Sequence, residues 1–177
     1  MKENVLVVVD VQNDFITGAL GSKEAQEALP RIISKVKGFQ GNVLATKDTH
    51  FGNYLETQEG KNLPVPHCVK GTNGWGFPEE LAGLMSEKDA KVYEKTTFGS
   101  IDLAQELKRR FERGEIASVE FVGFCTDICV VSNALLVKAE SPELPIIVDS
   151  RCCAGVTPEK HQSALSVMES CQVRVKH

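Results

Sequence analysis

Three residues in this chain combine side-chain type and surroundings in a way that could support nucleophilic chemistry: Asp10, Lys95 and Cys129. Cys129 lies just inside a stretch that reads as a helix and directly follows an apolar run. A helix N-terminus favours a thiolate, so this thiol is expected to titrate low and to attack electrophiles. The competing reading is a small buried cysteine that packs as an apolar residue. Asp10 ends the apolar run 5–9. A carboxylate there can act as a general base beside a thiol, or simply form a turn. Lys95 closes another strand-like run. It could place positive charge at a site, although most lysines are merely solvated. Taken singly, each residue fits an ordinary structural role. Shared position is what raises them above it.

That position follows from the elements. Apolar runs alternate with amphipathic stretches. Strands are expected at 5–10, 42–47, 90–94, 118–124, 145–149 and 172–175. Helices are expected at 24–39, 78–85, 101–111, 126–140 and 157–170. Pro30 should interrupt the first helix and mark the start of its main part. Thr157 suits an N-cap with Pro158 behind it at the first helical position. Strands alternating with helices imply a Rossmann-like three-layer α/β/α sandwich. Its six-stranded sheet should be mainly parallel, and residues 1–177 should form one domain. Such sheets place their sites beyond the carboxyl ends of the strands. Those ends carry Asp10, then Asp48 and His50, then Lys95, then Cys125 to Cys129, so an aspartate, a lysine and a cysteine converge on one rim.

Residues 48–77 read as one long loop with five glycines and two prolines. Loops of that length usually carry function or are disordered. This one holds Asp48, His50, Glu56, Glu59 and His67 beside aromatic and apolar residues, which favours function.

Composition removes several alternatives. The chain has 177 residues, of which 42% are hydrophobic, too many for a disordered protein. No apolar run approaches the ~18–20 residues that a membrane span requires. The net charge of -4, without a basic stripe, gives no sign of nucleic-acid binding. The run 5–9 is too short for the apolar core of a secretory leader, so a cytoplasmic protein is expected. The six cysteines, Cys68, Cys125, Cys129, Cys152, Cys153 and Cys171, are too scattered for a small disulfide scaffold. They form no paired CxxC zinc motif.

The chain resembles the isochorismatase-like cysteine hydrolase superfamily, and its nicotinamidase-type members in particular. Val9-Asp10-Val11-Gln12-Asn13-Asp14-Phe15 is similar to the opening motif, and Gly123-Phe124-Cys125-Thr126-Asp127-Ile128-Cys129-Val130 to the nucleophile motif. Lys95-Thr96-Thr97-Phe98 resembles the lysine motif. Thr46-Lys47-Asp48-Thr49-His50 and Pro66-His67-Cys68-Val69-Lys70-Gly71-Thr72 resemble the metal-loop motifs. The segments 149–154 and 157–161 are also similar, so the likeness covers essentially the whole chain.

The resemblance implies an Asp10–Lys95–Cys129 triad that cleaves a small amide through a thioester. It places oxyanion donors at the backbone N–H groups of Cys125 and Cys129, and a cis peptide at Phe124–Cys125. It implies a divalent metal, zinc first with iron or manganese as alternatives, on Asp48, His50, His67 and a glutamate. Glu59 is favoured over Glu56 for that fourth place by its spacing. Relatives commonly carry tryptophan three residues before the metal-loop histidine, where this chain has Pro64. Phe15, Phe98 and Ile128 are then the expected substrate walls. A homo-oligomer is also implied. Isochorismatase-type ether hydrolysis and carbamoyl or ureido hydrolysis are the alternatives within the superfamily. Outside enzymes, the alternative is a small-molecule binder or a thiol sensor.

Overall fold

The computed structural model describes residues 2–177; Met1, part of the expected domain, lies outside them. Strand β1 (Glu3–Val9) shows why the sheet is central. Val5, Val7 and Val9 face one hydrophobic cluster, whereas Leu6 and Val8 face a second. Side chains alternate across a strand, so an unbroken apolar run serves a sheet buried on both faces. The other strands are β2 (Asn42–Asp48), β3 (Lys91–Lys95), β4 (Ile116–Phe124), β5 (Ile146–Ala154) and β6 (Arg174–Lys176). Their order is β3-β2-β1-β4-β5-β6, and every neighbouring pair is parallel.

Helices cover both faces. The short α1 (Asn13–Ile16) leads into α2 (Lys23–Gly38), which packs on one face with α4 (Glu79–Glu87). The other face carries α5 (Ile101–Glu112), α6 (Val131–Glu140) and α7 (Pro158–Ser170). The expected three-layer sandwich is therefore present. Among the described residues, no helix is long and apolar enough to cross a membrane.

Several expected boundaries differ. Pro30 does not interrupt α2, which starts at the Ser22 cap and runs through it. Ala25, Ala28, Ile32 and Val36 are buried at helical spacing, so packing holds the helix, and exposed Pro30 sits on its solvent side. The segment after β2 is not a bare loop. It contains a 3₁₀ turn at Tyr54–Glu56 and a short helix, α3 (Gln58–Asn62). The Thr57 hydroxyl caps α3 by accepting from Gly60 N–H at 3.0 Å. The expected helix 126–140 divides into a single π turn at Thr126–Val130 followed by α6. Strand β5 extends to Ala154, beyond the expected end at residue 149.

The switch in strand order lies between β1 and β4. They approach closely at Gly123, where φ is +123° and a Cβ would stand 2.1 Å from the Val9 carbonyl oxygen. Only glycine suits that contact.

Candidate active site

Four adjacent strands, β3-β2-β1-β4, end on the same rim. Lys95 is the last residue of β3, and Asp48 the last of β2. Asp10 directly follows β1, and Cys129 lies in the π turn after β4. Asp10 and Cys129 thus flank the switch point, where open α/β sheets form their crevices.

Lys95 joins the group. Its Nζ lies 2.6 Å from Asp10 Oδ2, 3.4 Å from Cys129 Sγ and 3.9 Å from Asp48 Oδ1. Lys95, Asp10 and Cys129 are all buried, Asp10 completely. The Thr46 hydroxyl donates to Asp10 Oδ1 at 2.6 Å. Asp10 has φ +49°, a left-handed conformation that aspartate tolerates better than most residues.

Burial decides how these groups titrate. It pushes the Asp10 carboxyl up, against the opposing charge of Lys95. Burial pulls Lys95 down, but Asp10, Cys129 and Asp48 together hold its ammonium firmly charged. The Cys129 thiol is pushed well up by burial and then by the Asp10 charge, with Lys95 opposing. This corrects the expected low thiol pKa. Cys129 sits in a buried turn ahead of α6 rather than at an open helix N-terminus, and desolvation outweighs what Lys95 supplies. A thiol shifted upward calls for a base to take its proton as it attacks.

The π turn itself closes through Ile128 and Val130 N–H groups donating to the Cys125 carbonyl, at 3.1 and 3.0 Å. These closing bonds leave out the N–H groups of Cys125 and Cys129. The peptide Phe124–Cys125 is cis, as the resemblance implies.

A second cluster adjoins the triad. One ligand atom each from Asp48, His50, Glu59 and His67 lies within 4.8 Å of the others. Asp48 Oδ2 is 3.0 Å from His50 Nε2 and 3.4 Å from His67 Nε2. Glu59 Oε1 is 3.6 Å from His50 Nε2 and 3.8 Å from His67 Nε2. Nδ1 of His67 pairs with the Val65 carbonyl at 2.8 Å, which orients Nε2 toward the cluster. Burial pushes Asp48 up, but hydrogen bonds from His50 and His67 and the Lys95 charge outweigh it and hold the carboxylate ionised. Two carboxylates and two imidazoles form a donor set that fits a divalent metal. Glu59 faces the group because α3 presents it, while Glu56 is exposed and outside the cluster.

Both clusters open into a cavity of about 890 Å³. Phe15, Phe98 and Ile128 line it, as expected, together with Cys125, Cys129 and His67. Pro64 is exposed and does not line it, whereas its neighbour Leu63 does. Trp75 also lies outside the lining; its ring packs under Lys47 Nζ at 3.9 Å, and its Nε1 donates to the Thr49 hydroxyl.

The isochorismatase domain model matches residues 4–176. The chain belongs to the isochorismatase family. A nicotinamidase/pyrazinamidase of Mycobacterium tuberculosis is 30% identical over 185 aligned residues, covering 96% of each chain. The crystal structure of a nicotinamidase/pyrazinamidase from Bacillus subtilis superposes with a TM-score of 0.85 at 28% identity, over 100% of both chains. The pyrazinamidase of Pyrococcus horikoshii, solved in complex with zinc, gives 0.80 at 26% identity over 99% of both chains.

Three further residues tie this isochorismatase-family site together, and sequence reasoning did not single them out. Gln12 is fully buried and clamps Asp48 from both sides: its Nε2 donates to the Asp48 carbonyl at 2.9 Å, and its Oε1 accepts from Asp48 N–H at 2.8 Å. Thr46 orients Asp10. Asn133 donates to the carbonyls of Cys129 at 2.8 Å and Phe98 at 3.2 Å, and accepts from Ser100 N–H at 2.9 Å. It therefore fastens the turn that carries Cys129 to the segment after Lys95. Gln12 and Thr46 fall inside quoted motifs, which was the available signal. Asn133 lies outside them, one helical turn past Cys129.

Proposed function

We propose that this protein is a nicotinamidase-like cysteine amidohydrolase that cleaves a small planar amide to the acid and ammonia. The observation that carries the reading is the single buried Lys95 ammonium bridging the Asp10 carboxylate and the Cys129 thiol at the cavity. A lysine shared in that way keeps both a base and a nascent thiolate in reach of one carbonyl carbon.

Asp10 takes the thiol proton as Cys129 Sγ attacks the amide carbonyl. Lys95 stabilises the thiolate as it forms. The oxyanion is received by the backbone N–H groups of Cys125 and Cys129. Asp10 returns its proton to the leaving nitrogen, and ammonia departs. Water then attacks the thioester with Asp10 again as base, which releases the acid and restores the thiol.

Phe15 and Phe98 supply flat apolar walls, with Ile128 beside the nucleophile. The Phe15 ring stands edge-on to His67 at 5.8 Å, next to the metal cluster. Asp48, His50, Glu59 and His67 would hold a divalent ion, for which zinc is the preferred identity. Such an ion would supply Lewis acidity beside the cavity.

Ammonia release from nicotinamide and other small amides tests the reading, with added zinc, iron or manganese and a chelated control. Turnover that chelation stops and Cys129→Ala abolishes is expected. Turnover that persists in Cys129→Ala would refute the assignment of the nucleophile.

A further inference from the structure

The cavity is much larger than the reaction needs. A single-ring amide displaces on the order of 150 Å³, the share of about five waters at ~30 Å³ each. The cavity measures about 890 Å³, toward the upper end of sites for drug-sized ligands. Its polar chemistry gathers at one end, where Asp48, Glu59, His67 and Cys129 meet. Toward the mouth the lining is mixed, with three exposed apolar side chains standing among five polar ones. Leu63, Phe98 and Val156 all line the cavity, yet they stay 39%, 47% and 47% exposed.

These three come from separate parts of the chain: the end of α3, the segment after β3 and the segment after β5. They form an apolar collar continuous with the reaction centre. Exposed apolar side chains gathered at a catalytic mouth gain by covering something apolar. The collar is interrupted by Gln58, Asn62, Thr96, Thr97 and Lys160, so it suits a bounded ligand better than a broad protein face. Water left in so much apolar space is poorly held, and its displacement favours a ligand that fills it.

We infer that the substrate is a primary amide whose carboxamide-bearing ring carries an apolar extension, seated against Leu63, Phe98 and Val156. This rests on the amidase reading, since that reading sets which end of the ligand enters first. The three collar residues are then specificity-determining. They touch the part of the substrate distant from the bond that breaks, and so they act on binding of the whole ligand.

The test compares matched pairs: benzamide with biphenyl-3-carboxamide, and nicotinamide with its 5-phenyl derivative. Binding is measured calorimetrically on the Cys129→Ala protein, and kcat/KM on the wild type. The phenyl-bearing member of each pair is expected to be favoured by about tenfold or more, from the extra apolar area buried. Leu63→Asp and Val156→Asp, at positions 39% and 47% exposed, are expected to bring that ratio toward one, with the fold checked by circular dichroism. Equal or weaker binding of the extended amides overturns the inference. So do collar variants that change the sedimentation of the protein but leave the ratio alone, because a second copy then covers the collar. If no amide is turned over while the Cys129→Ala protein keeps the preference, the amidase reading fails and the shape of the site stands. If the preference is absent but nicotinamide is hydrolysed, the reverse holds.

Discussion

Lys35 on α2 bridges two carboxylates, Glu120 on β4 and Asp149 on β5. Its side chain is 17% exposed, and theirs are 9% and 3% exposed. Lys35→Met keeps the apolar stem and deletes the charge. Breaking a buried pair by removing one partner costs about 3–5 kcal/mol, because a charge is left unpaired. Here the cost is softened. Glu120 keeps Lys176 at 3.0 Å, and Asp149 keeps Arg151 at 3.6 Å, cations whose side chains are 39% and 65% exposed. A loss of about 2–3 kcal/mol is therefore expected, at or below the lower bound of that range. With a urea slope of about 2 kcal/mol per molar, the unfolding midpoint at pH 7 should fall by about 1 M.

The pH dependence has a definite sign. Burial pushes the Asp149 carboxyl up, but the Lys35 hydrogen bond and charge outweigh it and lower its folded pKa below the ordinary 3.8. Its contribution is thus full above that value and lost as pH falls through the folded pKa. Burial opposes the Lys35 charge, but Asp149 and Glu120 raise its folded pKa above 10.5. That contribution is full below 10.5 and is lost only as pH rises through the higher value. The gap between wild type and Lys35→Met should be constant from about pH 5 to 10 and should shrink near pH 3. Urea titrations followed by far-ultraviolet circular dichroism check this. A midpoint shift below about 0.3 M at pH 7, or a gap that widens in acid, would refute the reasoning.

Other perturbations reach the site directly. Asp10→Asn should lower kcat by about a thousandfold, in the range of a lost general base, with folding unchanged by circular dichroism. The acid limb of kcat/KM should lie above the ordinary carboxyl value of 3.8, because burial raises Asp10; Thr46→Val removes a bond that lowers it and should move the limb to higher pH. Glu59→Gln should weaken zinc binding by at least about 10–100-fold in competition with a chromophoric chelator, since losing even an outer partner of a ligand costs that much. Gly123→Ala should destabilise the protein by more than about 2 kcal/mol in the same urea assay, since its Cβ meets the Val9 carbonyl at 2.1 Å and φ is +123°.

Much of this was legible from the chain because the strands are apolar on both faces. Runs such as Val5–Val9 admit one placement, buried in a parallel sheet, and the residues that end them fall on the rim by geometry. That is why Asp10, Asp48 and Lys95 could be found without coordinates. Glu59 was harder. Nothing periodic marks α3, and its start depends on one hydroxyl, that of Thr57. Pro30 misled because its local cost is real, yet four buried side chains along α2 override it. The direction of the Cys129 shift was not readable. A sequence shows a cysteine near a helix start but not how completely it is buried, and burial sets the sign here. Asn133 escaped for a similar reason: its three partners come from segments about thirty positions away and from Cys129 itself.

The most direct test of the account is to intercept the thioester. Wild-type protein mixed with nicotinamide and acid-quenched in milliseconds should carry one nicotinoyl group, mapped to Cys129 by mass spectrometry. Hydroxylamine added during turnover should divert product to the hydroxamate. Asp10→Asn should show neither signal at the same quench time. Rapid nicotinate formation with no adduct, no hydroxamate and full activity in Cys129→Ala would contradict the central claim that this sulfur attacks the amide.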